Sequence, residues 1–392
     1  MYKILTLNNI SVKGLELLPR DRYEVASEFS HPDAVLLRSF KMHDWEIPTT
    51  LKAIGRAGAG VNNIPVDKMS ELGIPVFNAP GANANAVKEL VLASMLLAAR
   101  NLLPASQYVN GLQGNDGEIS KQVEAGKKQF VGYELAERTL GVIGLGAIGV
   151  KVANAAYALG MNVIGYDPNI TVKNAWQLSA HVKQASSVED MLSQVDFLTL
   201  HVPFIDATNN LINNERLQNA KSGLTILNFS RNGIVDDIAV SEAIKAKNIN
   251  GYITDFPSNL LIGHERVVAL PHLGASTGEA EENCAIMVAK QVRNYLENGT
   301  IKNSVNFPEM KMPRTEKGNR LLVVNANVPH MIERISSTIA NNSLNILDML
   351  NRSRGNIACT LVDVDNEIPQ AVIDTLSSTE GVLMVRTKLS RQ

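Results

Sequence analysis

The sequence has little that would tie it to a membrane, a nucleic acid or an oxidising compartment. Cysteine occurs twice in 392 residues. Cys284 and Cys359 are far apart and lack the spacing of a metal site, so a reducing compartment and no bound metal are expected. Lysine plus arginine (37) nearly balances aspartate plus glutamate (39), for a net charge of −2. That balance excludes the strong basic patterning of a nucleic-acid or anionic-membrane binder. Long apolar runs are also missing: residues 90–99 are too few to cross a bilayer. Residues 1–7 read as a short strand rather than a basic leader followed by an apolar core. The cytoplasm is the expected location.

What is present is an alternation of short apolar runs with helical stretches. Residues 4–7, 34–37, 51–55 and 74–78 read as buried parallel strands. A second series begins at residue 139, and residues 277–298 form a helix that returns the chain to the first series. The expected fold class is α/β, with two doubly wound parallel-sheet domains. Residues 1–97 and 283–310 would form a discontinuous substrate domain, with a dinucleotide-binding domain, 98–282, inserted between them. Residues 308–319 read as a linker. Residues 320–392 then follow a βαββαβ order, a small α+β module.

The most informative motif is Gly144-Leu145-Gly146-Ala147-Ile148-Gly149, placed between a strand and a helix, with Asp167 closing the next strand. Gly144 permits a tight turn, Gly146 lets the backbone approach a pyrophosphate, and Gly149 lets helix and strand pack closely. The helix N-terminus offers free N–H groups to phosphate. Asp167 can accept from both ribose hydroxyls and would repel a 2′-phosphate, and no arginine follows it, so NAD is expected over NADP.

Further along, the chain resembles the D-2-hydroxyacid dehydrogenases over nearly its whole length. The resemblance is carried by the glycine motif with Asp167, by His201-Val202-Pro203, by Asn228-Phe229-Ser230-Arg231-Asn232-Gly233-Ile234-Val235-Asp236, and by Pro271-His272-Leu273-Gly274-Ala275-Ser276-Thr277. Within that family, Arg56-Ala57-Gly58-Ala59-Gly60-Val61-Asn62-Asn63 looks like the substrate loop of the phosphoglycerate dehydrogenases, with Asn62 where Asp is common. The resemblance implies Arg231 as the grip on the substrate carboxylate and His272 as the acid/base. It implies Asp255 beside the nicotinamide carboxamide. Ala147, Ile148, Val202, Phe229, Ser230, Gly274 and Ala275 would lie around the cofactor. Arg38 and Arg56 would hold the substrate phosphate, with Gly58, Ala59 and Gly60 beside them.

One position departs from the family. A glutamate normally follows the aspartate and orients the catalytic histidine, but here the run is Asp255-Phe256-Pro257-Ser258-Asn259-Leu260-Leu261. Glu265 is the nearest carboxylate before His272, and it reads more readily as a solvated charge.

The C-terminal residues resemble an ACT domain, a ligand-sensing unit. Asn327 and Asn345 match positions that bind L-serine across a two-fold interface in serine-regulated relatives; Asn325, a further effector candidate, stands where a His is often found, and His330 replaces a usual glycine. The resemblance implies oxidation of 3-phospho-D-glycerate to 3-phosphohydroxypyruvate in L-serine biosynthesis, by a homodimer or homotetramer. A glyoxylate or hydroxypyruvate reductase, or a non-catalytic NAD sensor, are the alternatives.

Overall fold

The computed structural model describes residues 1–315 and 318–387. Residues 316–317 of the expected linker and 388–392 of the expected C-terminal module lie outside the described residues. The chain divides into two compact units, Met1–Asn83 with Gly278–Gln392, and Ala84–Thr277.

The first unit holds a five-stranded sheet in the order Tyr23–Ala26, Tyr2–Leu7, Ala34–Leu37, Ala53–Arg56, Val76–Phe77, parallel throughout. Successive side chains of a strand face opposite sides. Ile4, Leu36, Ala53 and Phe77 accordingly join one core, and Leu5, Val35, Leu37, Ile54 and Val76 another. Both faces are covered, which is why the runs read as continuously apolar. The edge strand Tyr23–Ala26 was not expected: it is four residues long and only Tyr23 is buried, so it carries no apolar run.

The second unit has seven parallel strands in the order Val267–Ala269, Ile249–Thr254, Leu224–Asn228, Phe197–Leu200, Thr139–Ile143, Asn162–Tyr166, Lys183–Gln184. The two edge strands of two and three residues were not expected either: Lys183–Gln184 is polar and exposed, and Val267–Ala269, though apolar, is short and holds no fully buried residue. Strand order reverses between Thr139–Ile143 and Phe197–Leu200, the topological switch of a dinucleotide-binding sheet.

The C-terminal residues form a four-stranded antiparallel sheet, Ile346–Arg354, Ile357–Val364, Asn319–Ala326, Val382–Arg386, with helices Met331–Asn341 and Gln370–Ser377. This is the expected βαββαβ order. His330 precedes its first helix with φ 68°, a left-handed conformation that explains why a glycine is usual there.

The segment read as a linker carries no named helix or strand over residues 308–315, and it packs. Met310 and Met312 are buried in one core with Phe307, Leu322, Val324 and Cys359. Arg320, itself buried, grips Asp363 bidentately at 2.7 and 2.8 Å and donates to the carbonyls of Met312 and Pro313 at 3.0 and 2.9 Å. Burial works against the Asp363 carboxylate, but the Arg320 fork and Thr315 outweigh it and hold Asp363 below its ordinary pKa.

Candidate active site

In the second unit the first strand ends in the glycine turn. Gly144 has φ 90°, and a Cβ there would sit 2.5 Å from the His201 carbonyl oxygen. A Cβ on Gly149 would strike the Gly144 carbonyl, while one on Gly146 would meet nothing within 4 Å. Gly144 and Gly149 are therefore required by packing, and Gly146 leaves its backbone facing open space. Asp167 closes the turn: Oδ2 accepts from the Leu145 amide at 2.8 Å, and Oδ1 from the Asn169 amide at 2.9 Å. A cleft of about 450 Å³ is lined by Tyr166, Asp167, Pro168, Gln184, Ala185 and Ser186.

The strand Leu224–Asn228 ends in a braced turn. Asn228 is buried; its Oδ1 accepts from the Ser230 amide at 3.1 Å, and its Nδ2 donates to the Arg231 carbonyl at 3.0 Å and to Tyr252 at 3.3 Å. Ser230 Oγ donates to the Val202 carbonyl at 3.0 Å, and Arg231 Nη1 donates to the Ser230 carbonyl at 2.6 Å. Phe229 is buried beneath the turn. The sequence reading did not single out Asn228 or Tyr252. An amide ending an apolar strand was the signal available for Asn228.

Asp255 follows the strand Ile249–Thr254 and is 2 % exposed. Its Oδ2 accepts from the Gly274 amide at 3.0 Å, and its carbonyl from the His272 amide at 3.0 Å. Burial raises its carboxyl pKa, while the Gly274 N–H and the nearby His272 oppose the shift. Oδ1 is buried without a partner among the described residues. A buried acceptor left unpaired is costly unless a ligand supplies a donor. The open backbone at Gly146 and this orphaned oxygen both fit a dinucleotide whose carboxamide donates to Asp255.

His272 is exposed and has φ 34°, in the left-handed region. Among the described residues its imidazole has no hydrogen-bond or ion-pair partner; its neighbour is the Phe256 ring, with centroids 4.7 Å apart at 50°. Glu265 is exposed and precedes the strand Val267–Ala269, whereas His272 follows it. At ~3.3 Å per extended residue, the two lie at opposite ends of that strand.

The first unit brings Arg38 and Arg56 to the ends of adjacent strands. Arg56 Nε donates to the Arg38 carbonyl at 3.0 Å. Its guanidinium lies where any side chain on Gly58 would strike it. The loop is fixed by the Ala79 amide on the Gly58 carbonyl at 2.9 Å and Asn78 Nδ2 on the Ala59 carbonyl at 2.6 Å, with Gly60 half-buried beyond. Arg38 is ion-paired with Glu281, on the first turn of helix Gly278–Asn298. Nothing in the sequence signals a contact between residues so far apart.

In the C-terminal sheet Asn325 is buried, with Nδ2 on the Ala326 carbonyl at 2.7 Å and Oδ1 without a partner among the described residues. Asn327 is exposed and donates to the Gly355 carbonyl at 3.1 Å. Asn345 is exposed, its amide on Asp365 at 2.9 Å. Ile346 pairs with Val364, and Asn325 with Ala358. Asn345 therefore lies at the opposite end of the sheet from Asn325 and Asn327, and a single chain does not bring the three together.

Residues 92–274 match the family described as D-isomer specific 2-hydroxyacid dehydrogenase, NAD binding domain. The chain is 35% identical over 336 residues to a D-3-phosphoglycerate dehydrogenase of Synechocystis, covering 81% of this chain and 58% of that one. It is 32% identical over 352 residues to a D-3-phosphoglycerate dehydrogenase of Haemophilus influenzae, covering 87% and 82%. Among solved structures it is similar to the NAD+-bound 3-phosphoglycerate dehydrogenase of Entamoeba histolytica, with TM-score 0.60 and 26% identity over 78% of this chain and 98% of that one. The turn geometry, the strand order and these similarities agree: the chain belongs to the D-2-hydroxyacid dehydrogenase family, alongside the D-3-phosphoglycerate dehydrogenases.

Proposed function

We propose that the protein is an NAD-dependent dehydrogenase oxidising 3-phospho-D-glycerate to 3-phosphohydroxypyruvate, in L-serine biosynthesis. The observation that carries the reading is the set of strand ends in the second unit, where the braced Arg231, the orphaned Asp255 oxygen and His272 follow neighbouring parts of one sheet. When bound, NAD supplies the acceptor for the hydride at C2. Arg231, with Nη1 tied to Ser230, grips the substrate carboxylate with the rest of its fork. His272 takes the hydroxyl proton at a ring nitrogen. Asp255 receives the carboxamide of the nicotinamide, Asp167 the adenosine ribose, and the turn at 144–149 the pyrophosphate. Val202, Phe229, Ser230, Gly274 and Ala275 shape the wall around the ring.

Arg38 and Arg56 hold the phosphate, and Gly58, Ala59 and Gly60 give it backbone to approach. The Arg38–Glu281 pair must open or be shared for this to happen. That pair is the observation favouring the second reading, a reductase for glyoxylate or hydroxypyruvate, which needs no phosphate grip. Steady-state turnover with NAD decides between them. Higher kcat/KM for 3-phospho-D-glycerate than for D-glycerate is expected; equal values would transfer the reading to the reductase.

L-Serine is the proposed effector of the C-terminal module. Asn327 of one copy and Asn345 of another would meet across a two-fold axis, in a homodimer or homotetramer working in the cytoplasm. No helix among the described residues is long and apolar enough to cross a membrane. Calorimetry on the full chain tests the effector: L-serine should release heat with the native protein and much less with Asn345→Ala.

A further inference from the structure

Among the described residues no carboxylate pairs with the His272 ring, and the structure shows what stands against the ring instead. We infer that Phe256 is a positioning residue for His272, holding the imidazole by ring contact where a hydrogen-bonded carboxylate is absent. The inference rests on the acid/base role proposed above.

Three observations carry it. The two rings are 4.7 Å apart between centroids and tilted by 50°, within the geometry in which aromatic pairs attract. Both sides of the contact are fixed from one strand end. The Phe256 amide donates to Thr254 Oγ1 at 3.0 Å, and Thr254 is fully buried. The His272 amide donates to the Asp255 carbonyl at 3.0 Å, and the Gly274 amide to Asp255 Oδ2 at 3.0 Å. Pro257 then restricts the backbone of Phe256 to extended conformations. Finally, His272 holds φ 34°, a conformation that side chains adopt only where the surroundings impose it. The strand end fixes the backbone of His272, and Phe256 is the group that fixes its ring. The imidazole gains a positive charge as it takes the proton, and an aromatic neighbour at this range attracts that charge as well.

The test uses the full-length chain with Phe256→Leu and Phe256→Tyr. Phe256→Leu should lower kcat for 3-phospho-D-glycerate roughly ten- to a hundredfold, the range for a misplaced reacting group, with KM for NAD within about twofold. Phe256→Tyr keeps the ring and should restore most of kcat. The ring-current shift of the His272 ring protons, read by NMR, should be present in the native protein and in Phe256→Tyr and lost in Phe256→Leu. Unchanged kcat in Phe256→Leu, or equal losses in both variants, would overturn the inference. If the native protein does not turn over this substrate, the proposed function fails instead. The NMR shift then decides the ring contact alone: loss confined to Phe256→Leu supports it, and a shift absent from the native protein overturns it.

Discussion

The strand ends of the second unit and the arginine contacts of the first are built in opposite ways. In the second unit short side chains fix the turns against backbone groups, some close in sequence (Asn228 with Ser230 and Arg231, Asp167 with Asn169) and some on neighbouring strand ends (Asp167 with Leu145, Ser230 with Val202, Asp255 with Gly274). In the first unit long side chains reach across the chain: Arg38 to Glu281, Arg320 to Asp363, and Arg386 to the Leu296 carbonyl. A site built from backbone turns is fixed when its strands form. A site built from long cations depends on which distant carboxylate or carbonyl reaches it.

The largest effect should come from the second unit. His272→Ala is expected to lower kcat by roughly 10²–10⁴, the usual share of general acid–base catalysis. Glu265→Gln should change it little, because that carboxylate is exposed and precedes the strand His272 follows. A large loss in Glu265→Gln, with circular dichroism unchanged, would break the comparison by giving His272 a distant partner after all.

A stability effect of similar size is expected from the first unit. Asp363→Ala leaves the Arg320 guanidinium buried with its charge unpaired, which costs on the order of 3–5 kcal/mol. Urea unfolding should show it. A loss below ~1 kcal/mol would mean that the carbonyls of Asn298, Met312 and Pro313, which Arg320 also reaches, suffice alone.

The arginine cluster offers a smaller and more selective effect. Arg56→Ala should raise KM for the phosphorylated substrate by about 1.5–3 kcal/mol, and much less for D-glycerate. Glu281→Gln should act in the other direction, because it releases Arg38 from its ion pair and removes a negative charge from beside the phosphate. Initial rates with both substrates check the pair. A higher KM for the phosphorylated substrate in Glu281→Gln would show that the carboxylate orients Arg38 rather than competing for it.

The same contrast explains what the sequence could disclose. The 144–149 turn and Asp167 were legible from spacing between a strand and a helix, whereas the segment 228–231 was read from the family resemblance. The βαββαβ order was legible because its apolar runs are long enough to show a period. Three short edge strands were not legible, since none holds a run of buried residues. Residues 308–315 carry no named helix or strand, but Pro313 and the charges around it hid two methionines that pack into a core. Glu281 was beyond reach, as no local pattern relates it to Arg38. The wide separation of Asn327 from Asn345 was hidden too, because sequence proximity to a strand end does not say which end of the sheet the residue joins.

The smallest expected effect concerns Asp255, where stability and binding should move in opposite directions. Burial raises its carboxyl pKa in the folded chain. For a carboxylate this sign means that the native state holds the proton more tightly than the unfolded chain does. The stability it contributes is therefore fully present below the unfolded value, about 3.9, and is lost as pH rises through the folded value. Once ionised, the group sits buried with Oδ1 unpartnered among the described residues, a burden that a carboxamide donor would relieve. Asp255→Asn removes the charge and keeps an oxygen for the Gly274 amide. It should raise Tm at pH 7.5 by roughly 2–4 °C, equivalent to about 1 kcal/mol, and flatten the decline of stability with pH. The same change puts an N–H2 where the cofactor needs an acceptor, so KM for NAD should rise. Thermal scans across pH, beside cofactor titrations, separate the two consequences. If Tm falls while NAD affinity is unchanged, Oδ1 is satisfied within the protein and the carboxamide is held elsewhere.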